Sequence, residues 1–148
     1  MASLPNSKTV TYEEWLRMPE VSDAIEEVVN GEIRIMPAPK WNHGEVVESL
    51  QYSLNSQLDR RTFRVVATNF GLIICKSPLT SRVPDLAVFE RSTIIEQDGY
   101  IHSAPQLVVE VLYLEDGFLH STQILARGVL TPRLFPAVSI DIAHIWPD

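Results

Sequence analysis

Between Ile25 and Pro37 apolar residues alternate with polar ones on either side of Asn30-Gly31. Asn-Gly between two alternating runs is the strongest short-range signal for a β-hairpin, so strands are predicted at about 25–29 and 32–36. Upstream, Thr11-Tyr-Glu-Glu14 has a Thr at N-cap and a Glu three residues on, which predicts a short helix that ends before Pro19. Downstream of Pro37-Ala-Pro39 the period changes. Val46, Val47, Leu50, Leu54 and Leu58 recur at three- and four-residue spacing and predict an amphipathic helix over roughly 43–59, with Asn42 as its cap. Three β-rich runs follow, at 63–67, 72–75 and 83–89, with KSPLTSR as a turn between the last two. A polar connection over 92–103 turns at Asp98-Gly99, and Thr93-Ile94-Ile95 could add a short extended piece. Leu107 to Leu112 is almost continuously apolar, the pattern of a strand buried on both faces. Phe118–Ala126 suggests another strand, 130–136 is irregular, and 139–146 suggests a short helix capped by Ser139 with Asp141 in its first turn. The order predicts one domain over 1–148, mixed α/β or α+β, with a central sheet and the long helix on one face.

Composition narrows the function classes. The 148 residues are 45% hydrophobic, enough for a sizeable core. The single cysteine, Cys75, excludes an internal disulfide and fits a reducing cytosol, and its apolar flank predicts a small buried hydrophobe. No apolar run reaches the length of a membrane span, and the first residues lack the pattern of a signal peptide, so a cytoplasmic location away from membranes is expected. The net charge of −7 argues against coating nucleic acid through general electrostatics. It does not argue against a nuclease, because acids that hold a metal add to the negative total.

Three acids stand on or beside predicted strands: Glu27, Asp85 and Glu110. Carboxylates brought together on neighbouring strands cannot all stay ionised without a cation, and Mg²⁺ is the usual partner of an all-oxygen site. Each acid also has an ordinary reading. Glu27 lies beside a hairpin turn with Glu26 as a competitor, Asp85 follows a proline as turn residues do, and Glu110 would suit a solvent-facing sheet edge. His43 enters the long helix as a polar contact or a phosphate ligand. Arg60, Arg61 and Arg64 are the densest basic cluster, either a solvated helix end or a contact for a phosphate backbone. His102, His120 and His144 have no recognisable metal-ligand spacing.

The motifs TYEEWLRMPE, EEVVNGEI, MPAP, RVPDLAVF, DGYIHSAPQLVVEVL and LFPAVSIDIAHIWP, in this order, resemble the putative restriction endonuclease family of the PD-(D/E)XK nuclease superfamily. The resemblance covers about residues 9–112 and 117–148. It implies a restriction-endonuclease-like central sheet flanked by helices. It implies that Asp85, Glu110 and the Val111 carbonyl hold Mg²⁺ or Mn²⁺, with Glu27 as the third acid. The activity it implies is metal-dependent hydrolysis of phosphodiester bonds in nucleic acid, most simply DNA, for which His43, Arg60, Arg61 and Arg64 are the candidate substrate contacts that the residues themselves offer.

One departure bears on that activity. The lysine position of E-X-K is Leu112, and no lysine follows Lys76, which leaves Lys76 itself as a distant substitute. The chain runs from VEVL straight into YLEDGFLHST, which resembles the family's later C-terminal hairpin. One helix and at least one strand are therefore expected to be missing after Leu112. A site without its positive group predicts weak catalysis, and an uncovered sheet face predicts self-association, as in a homodimer. The alternative is a catalytically inactive remnant that acts as a binding or self-assembly module. No phosphate loop, nucleophile elbow or Cys/His zinc spacing supports a small-molecule hydrolase.

Overall fold

The computed structural model describes residues 9–67, 69–111 and 129–145. In chain order the elements are α1 (Tyr12–Trp15), β1 (Ala24–Val29), β2 (Glu32–Pro37), α2 (Trp41–Gln57), β3 (Phe63–Val66), β4 (Leu72–Lys76), β5 (Leu79–Arg82), β6 (Leu86–Glu90), β7 (Glu96–Gln97), β8 (Tyr100–Ile101), β9 (Leu107–Val109), β10 (Val129–Leu130) and β11 (Ile140–Asp141). Single 3-10 turns occupy Arg91–Thr93 and Ile142–His144. The chain is a mixed α and β protein with multi-stranded sheets and few helices. No helix among the described residues is long and apolar enough to cross a membrane.

The described residues form two compact units. The first takes those of Met1–Ala38, Asn69–Val83 and Ile94–Ala104. Its six-stranded sheet runs β2-β1-β5-β4-β8-β7, antiparallel except where β4 meets β8. Asn30 (φ 51°) and Gly31 (φ 83°) make the left-handed turn that the hairpin needs, and β1 pairs with β2 from Ala24↔Pro37 to Val29↔Glu32. Thr11 Oγ1 accepts from the Glu14 N–H while the Glu14 carboxylate accepts from the Thr11 N–H, so the predicted capping box is complete. Tyr12, Trp15, Val28, Ile73 and Leu79 form this unit's core.

The second unit takes the described residues of Pro39–Thr68, Pro84–Thr93 and Pro105–Asp148. Its antiparallel sheet runs β3-β6-β9, and β10 pairs with β11. The buried stripe of α2, Val46, Val47, Leu50 and Leu54, packs with Leu86, Val88, Val111 and the C-terminal Phe135, Val138 and Ile140. Burying each such side chain stabilises the unit by roughly 1.5–3 kcal/mol, so the stripe rather than local propensity holds the helix. At its last turn, Gln57 Nε2 donates to the Ser139 carbonyl at 2.9 Å while the Ser139 N–H donates to Gln57 Oε1 at 2.7 Å.

Several expectations are corrected. KSPLTSR is not a plain turn, because Leu79–Arg82 is strand β5, with Leu79 and Ser81 buried. Small Ser81 at an inward position disguises the alternation. Cys75 is exposed, because a bulge between Ile73 and Cys75 breaks the alternation of β4. The helix α2 begins at Trp41, with extended Lys40 at its N-cap and no side-chain cap, so Asn42 lies inside the first turn. The segment 139–146 is not an α-helix. Ile140 pairs with Leu130 and only a 3-10 turn follows, because burial of Ile140, Ile142 and Ile145 outweighs the capping signal. Strand β9 stops at Val109, and with β6 on one side it is the edge of its sheet among the described residues. Leu107 and Val109 face the core while Val108 is exposed, so it is not buried on both faces. The extended piece expected at Thr93-Ile94-Ile95 is displaced to Glu96–Gln97, which pairs with β8 across the Asp98-Gly99 turn. The expected strand at Phe118–Ala126, the junction after Leu112 and His120 lie outside the described residues.

Candidate functional site

The second unit brings Asp85, Glu110, Val111 and His43 to one end of its sheet. The antiparallel pairing of β6 and β9 ends at Leu86↔Val109, and Asp85 and Glu110 are the next residues beyond it on the two segments. Pro84 fixes the approach to β6, and the inward Leu86 and Val88 anchor the strand in the core. Asp85 Oδ2 accepts the Val111 N–H at 2.7 Å. Asp85 Oδ1 lies 2.8 Å from His43 Nε2. A carboxylate only accepts, so the imidazole donates from Nε2 here. Both side chains are half-buried, at 17% and 16% exposure, which shields the contact from full solvent screening. His43 reaches this point from the first turn of α2. The carboxylate thereby sits by a helix N-terminus, the end whose dipole favours negative charge. Glu110 is exposed at the end of β9.

Glu27 belongs to the first unit. Its side chain is buried and already engaged. Oε1 accepts the Val83 N–H at 2.8 Å, and Arg82 Nε lies 2.9 Å from Oε2, an ion pair not aligned as a hydrogen bond. The geometry gives Glu27 a role the sequence did not suggest: it holds the end of β5, two residues before Asp85 in the chain. Among the described residues, no group of three or more His, Cys, Asp or Glu side chains is arranged to hold a metal ion. Lys76 also belongs to the first unit, where its ammonium lies 4.5 Å from the centroid of the Tyr12 ring.

Arg60 and Arg61 occupy the turn after α2, and Arg64 lies on β3; all three are exposed. Asp59 shapes the turn, accepting the Arg61 N–H at 3.0 Å and the Thr62 hydroxyl at 2.8 Å. The Arg61 N–H first, then the Thr62 hydroxyl, hold its carboxyl below the usual carboxylate range. Sequence reasoning missed Arg91. Its Nε donates to the Arg60 carbonyl at 2.7 Å and its own N–H to the Thr62 carbonyl, which adds a fourth guanidinium to the cluster. Only the pairing of Phe63 with Glu90 brings it there. His102 contacts the Tyr12 hydroxyl in the first unit, and His144 Nδ1 lies 3.3 Å from Asp141 in the second.

The family model described as "Uma2: Putative restriction endonuclease" matches residues 12–118. Among solved structures, the chain is similar to a putative nuclease belonging to DUF820 from Anabaena variabilis ATCC 29413. The two share 27% sequence identity with a TM-score of 0.56, over 70% of this chain and 59% of that one. The chain thus spans less than two thirds of the length of that relative. No curated protein matches it.

Proposed function

The chain belongs to the putative restriction endonuclease family, and on that premise we propose that it is an endonuclease-like protein that hydrolyses nucleic-acid phosphodiester bonds with Mg²⁺ or Mn²⁺. The single observation that carries the reading is that Asp85 and Glu110 stand next beyond the last pair of β6 and β9, Leu86↔Val109, with Asp85 Oδ2 accepting the Val111 N–H. With the Val111 carbonyl these carboxylates make an all-oxygen donor set, and Mg²⁺ ordinarily takes one or two carboxylates alongside water and phosphate oxygens, so the residues fit the ion. The bound ion would supply Lewis acidity and a more acidic water. His43 and the Val111 N–H each fix one oxygen of Asp85, which sets the plane of its carboxylate before substrate arrives. Within the first unit, Glu27 bonds the Val83 N–H and pairs with Arg82. Arg60, Arg61, Arg64 and Arg91 serve as contacts for the phosphate backbone of a nucleic acid, most simply DNA.

A second reading, an inactive remnant that binds nucleic acid or self-assembles, has one observation in its favour. Both oxygens of Asp85 already have partners within the protein. Incubating supercoiled plasmid with Mg²⁺ or Mn²⁺, beside the Asp85→Asn variant, separates the two. Cleavage lost in the variant supports the enzyme. Equal nicking by both proteins sinks the assignment of the site, and no nicking together with retained DNA binding favours the remnant.

A further inference from the structure

We propose that the first unit carries a binding site for a small organic cation, an alkylated ammonium or a guanidinium, distinct from the site at Asp85 and Glu110. The site is a cleft of about 220 Å³ between the segment after α1 and the β1, β5 and β8 strands. Three aromatic side chains line it: Trp15, Phe70 and Tyr100. The Trp15 and Tyr100 ring centroids are 6.5 Å apart, with planes tilted by 48°. Gly71 keeps the geometry tight, because a Cβ there would collide with the Tyr100 ring.

The charge in the cleft is one-sided. Glu20 and Glu26 line it, and among the described residues no Lys or Arg does. Burial pushes the Glu26 carboxyl above its usual range. Tyr100 is pushed up as well, first by burial, against an opposing pull from the Trp15 indole and with smaller pushes from Glu20 and Glu26. That indole N–H is buried without a well-formed hydrogen bond and leans towards the Tyr100 oxygen. Aromatic faces attract a desolvated cation through their quadrupoles, and carboxylates at the rim add direct attraction. An anion, or a phosphate of the nucleic acid, meets only repulsion there. On the neighbouring β5, the Arg82 guanidinium is paired with Glu27.

The test uses the whole chain and tryptophan fluorescence. Choline, tetramethylammonium and methylguanidinium are titrated against 3,3-dimethylbutanol, the neutral isostere of choline, at constant ionic strength. At least one cation is expected to give a saturable change that Trp15→Phe abolishes, with the neutral isostere binding at least about tenfold more weakly. Glu26→Gln is expected to weaken the cation by about tenfold. Glu20→Gln, on an exposed residue, repeats that measurement without touching the core. Failure of all three cations to saturate overturns the proposal. So does equal binding of choline and its isostere, or unchanged affinity in both glutamine variants.

Discussion

Replacing Asp85 by Asn and by Ala separates two jobs that one carboxylate performs. Asp85 accepts from the Val111 N–H through one oxygen and from His43 through the other. Asn keeps an oxygen for Val111 and loses the charge. A bond to a charged group contributes ~1.5–3 kcal/mol and a neutral one ~0.5–1.5, so Asp85→Asn should cost about 1 kcal/mol. Asp85→Ala removes both acceptors. Val111 is 8% exposed, so its N–H is left without water or partner, a further cost of about 1–3 kcal/mol. Urea denaturation should therefore rank the wild type above Asn and Asn above Ala, with the slope of free energy against urea unchanged. Plasmid nicking should be lost equally in both, because metal binding needs the charge. If Asn is as destabilising as Ala, the carboxylate is not the acceptor that holds Val111. If Asn retains Mg²⁺-dependent nicking, the charge of Asp85 is not part of the chemistry.

Leu54 is fully buried in the second unit, and Leu54→Ala should lower unfolding free energy by about 2–5 kcal/mol in the same urea assay. Tyr12 donates to Asp98 at 3.0 Å, and burial first, then that bond, push its pKa from 10.0 to about 12. A raised folded-state pKa stabilises fully below the unfolded value, so this contribution should fade as pH rises from 10.0 towards 12. Denaturation curves across that window should show a step that Tyr12→Phe lacks. Removing Arg91 or Arg61 should weaken DNA binding without changing sequence preference, and should reduce the salt slope by about one each. An unchanged slope would remove that arginine from the interface.

What was legible in the sequence was what local chemistry decides. Asn30-Gly31 specifies a turn that few other pairs allow, Thr11 and Glu14 satisfy each other's backbone, and the α2 stripe is long enough to fix its period. That Asp85 and Glu110 lie just beyond the last pair of β6 and β9 is seen only in the structure. The rest depended on neighbours distant in sequence. Strand β5 hides because Ser81 fills an inward position beside Val28. Cys75 is turned outward by a bulge that no residue type announces. The C-terminal segment carries helix-cap residues, but its isoleucines are worth more in the core than a single helical turn. Glu27 reads as a candidate ligand until Arg82 and Val83 are seen to occupy it, and Arg91 joins the basic cluster only through the β3–β6 register.

The Gln57 amide gives the second unit an unusual seam. A primary amide offers one donor and one acceptor side by side, as a backbone peptide does, so Gln57 serves Ser139 as a neighbouring strand would. The clip joins residues far apart in sequence, and loop closure makes such contacts late to form and early to open. The end of α2 and the segment entering β11 should therefore come undone together, as one latch, before the core around Leu54 and Val88 loosens. The Ser139 amide would report the fraying of a helix to which it does not belong.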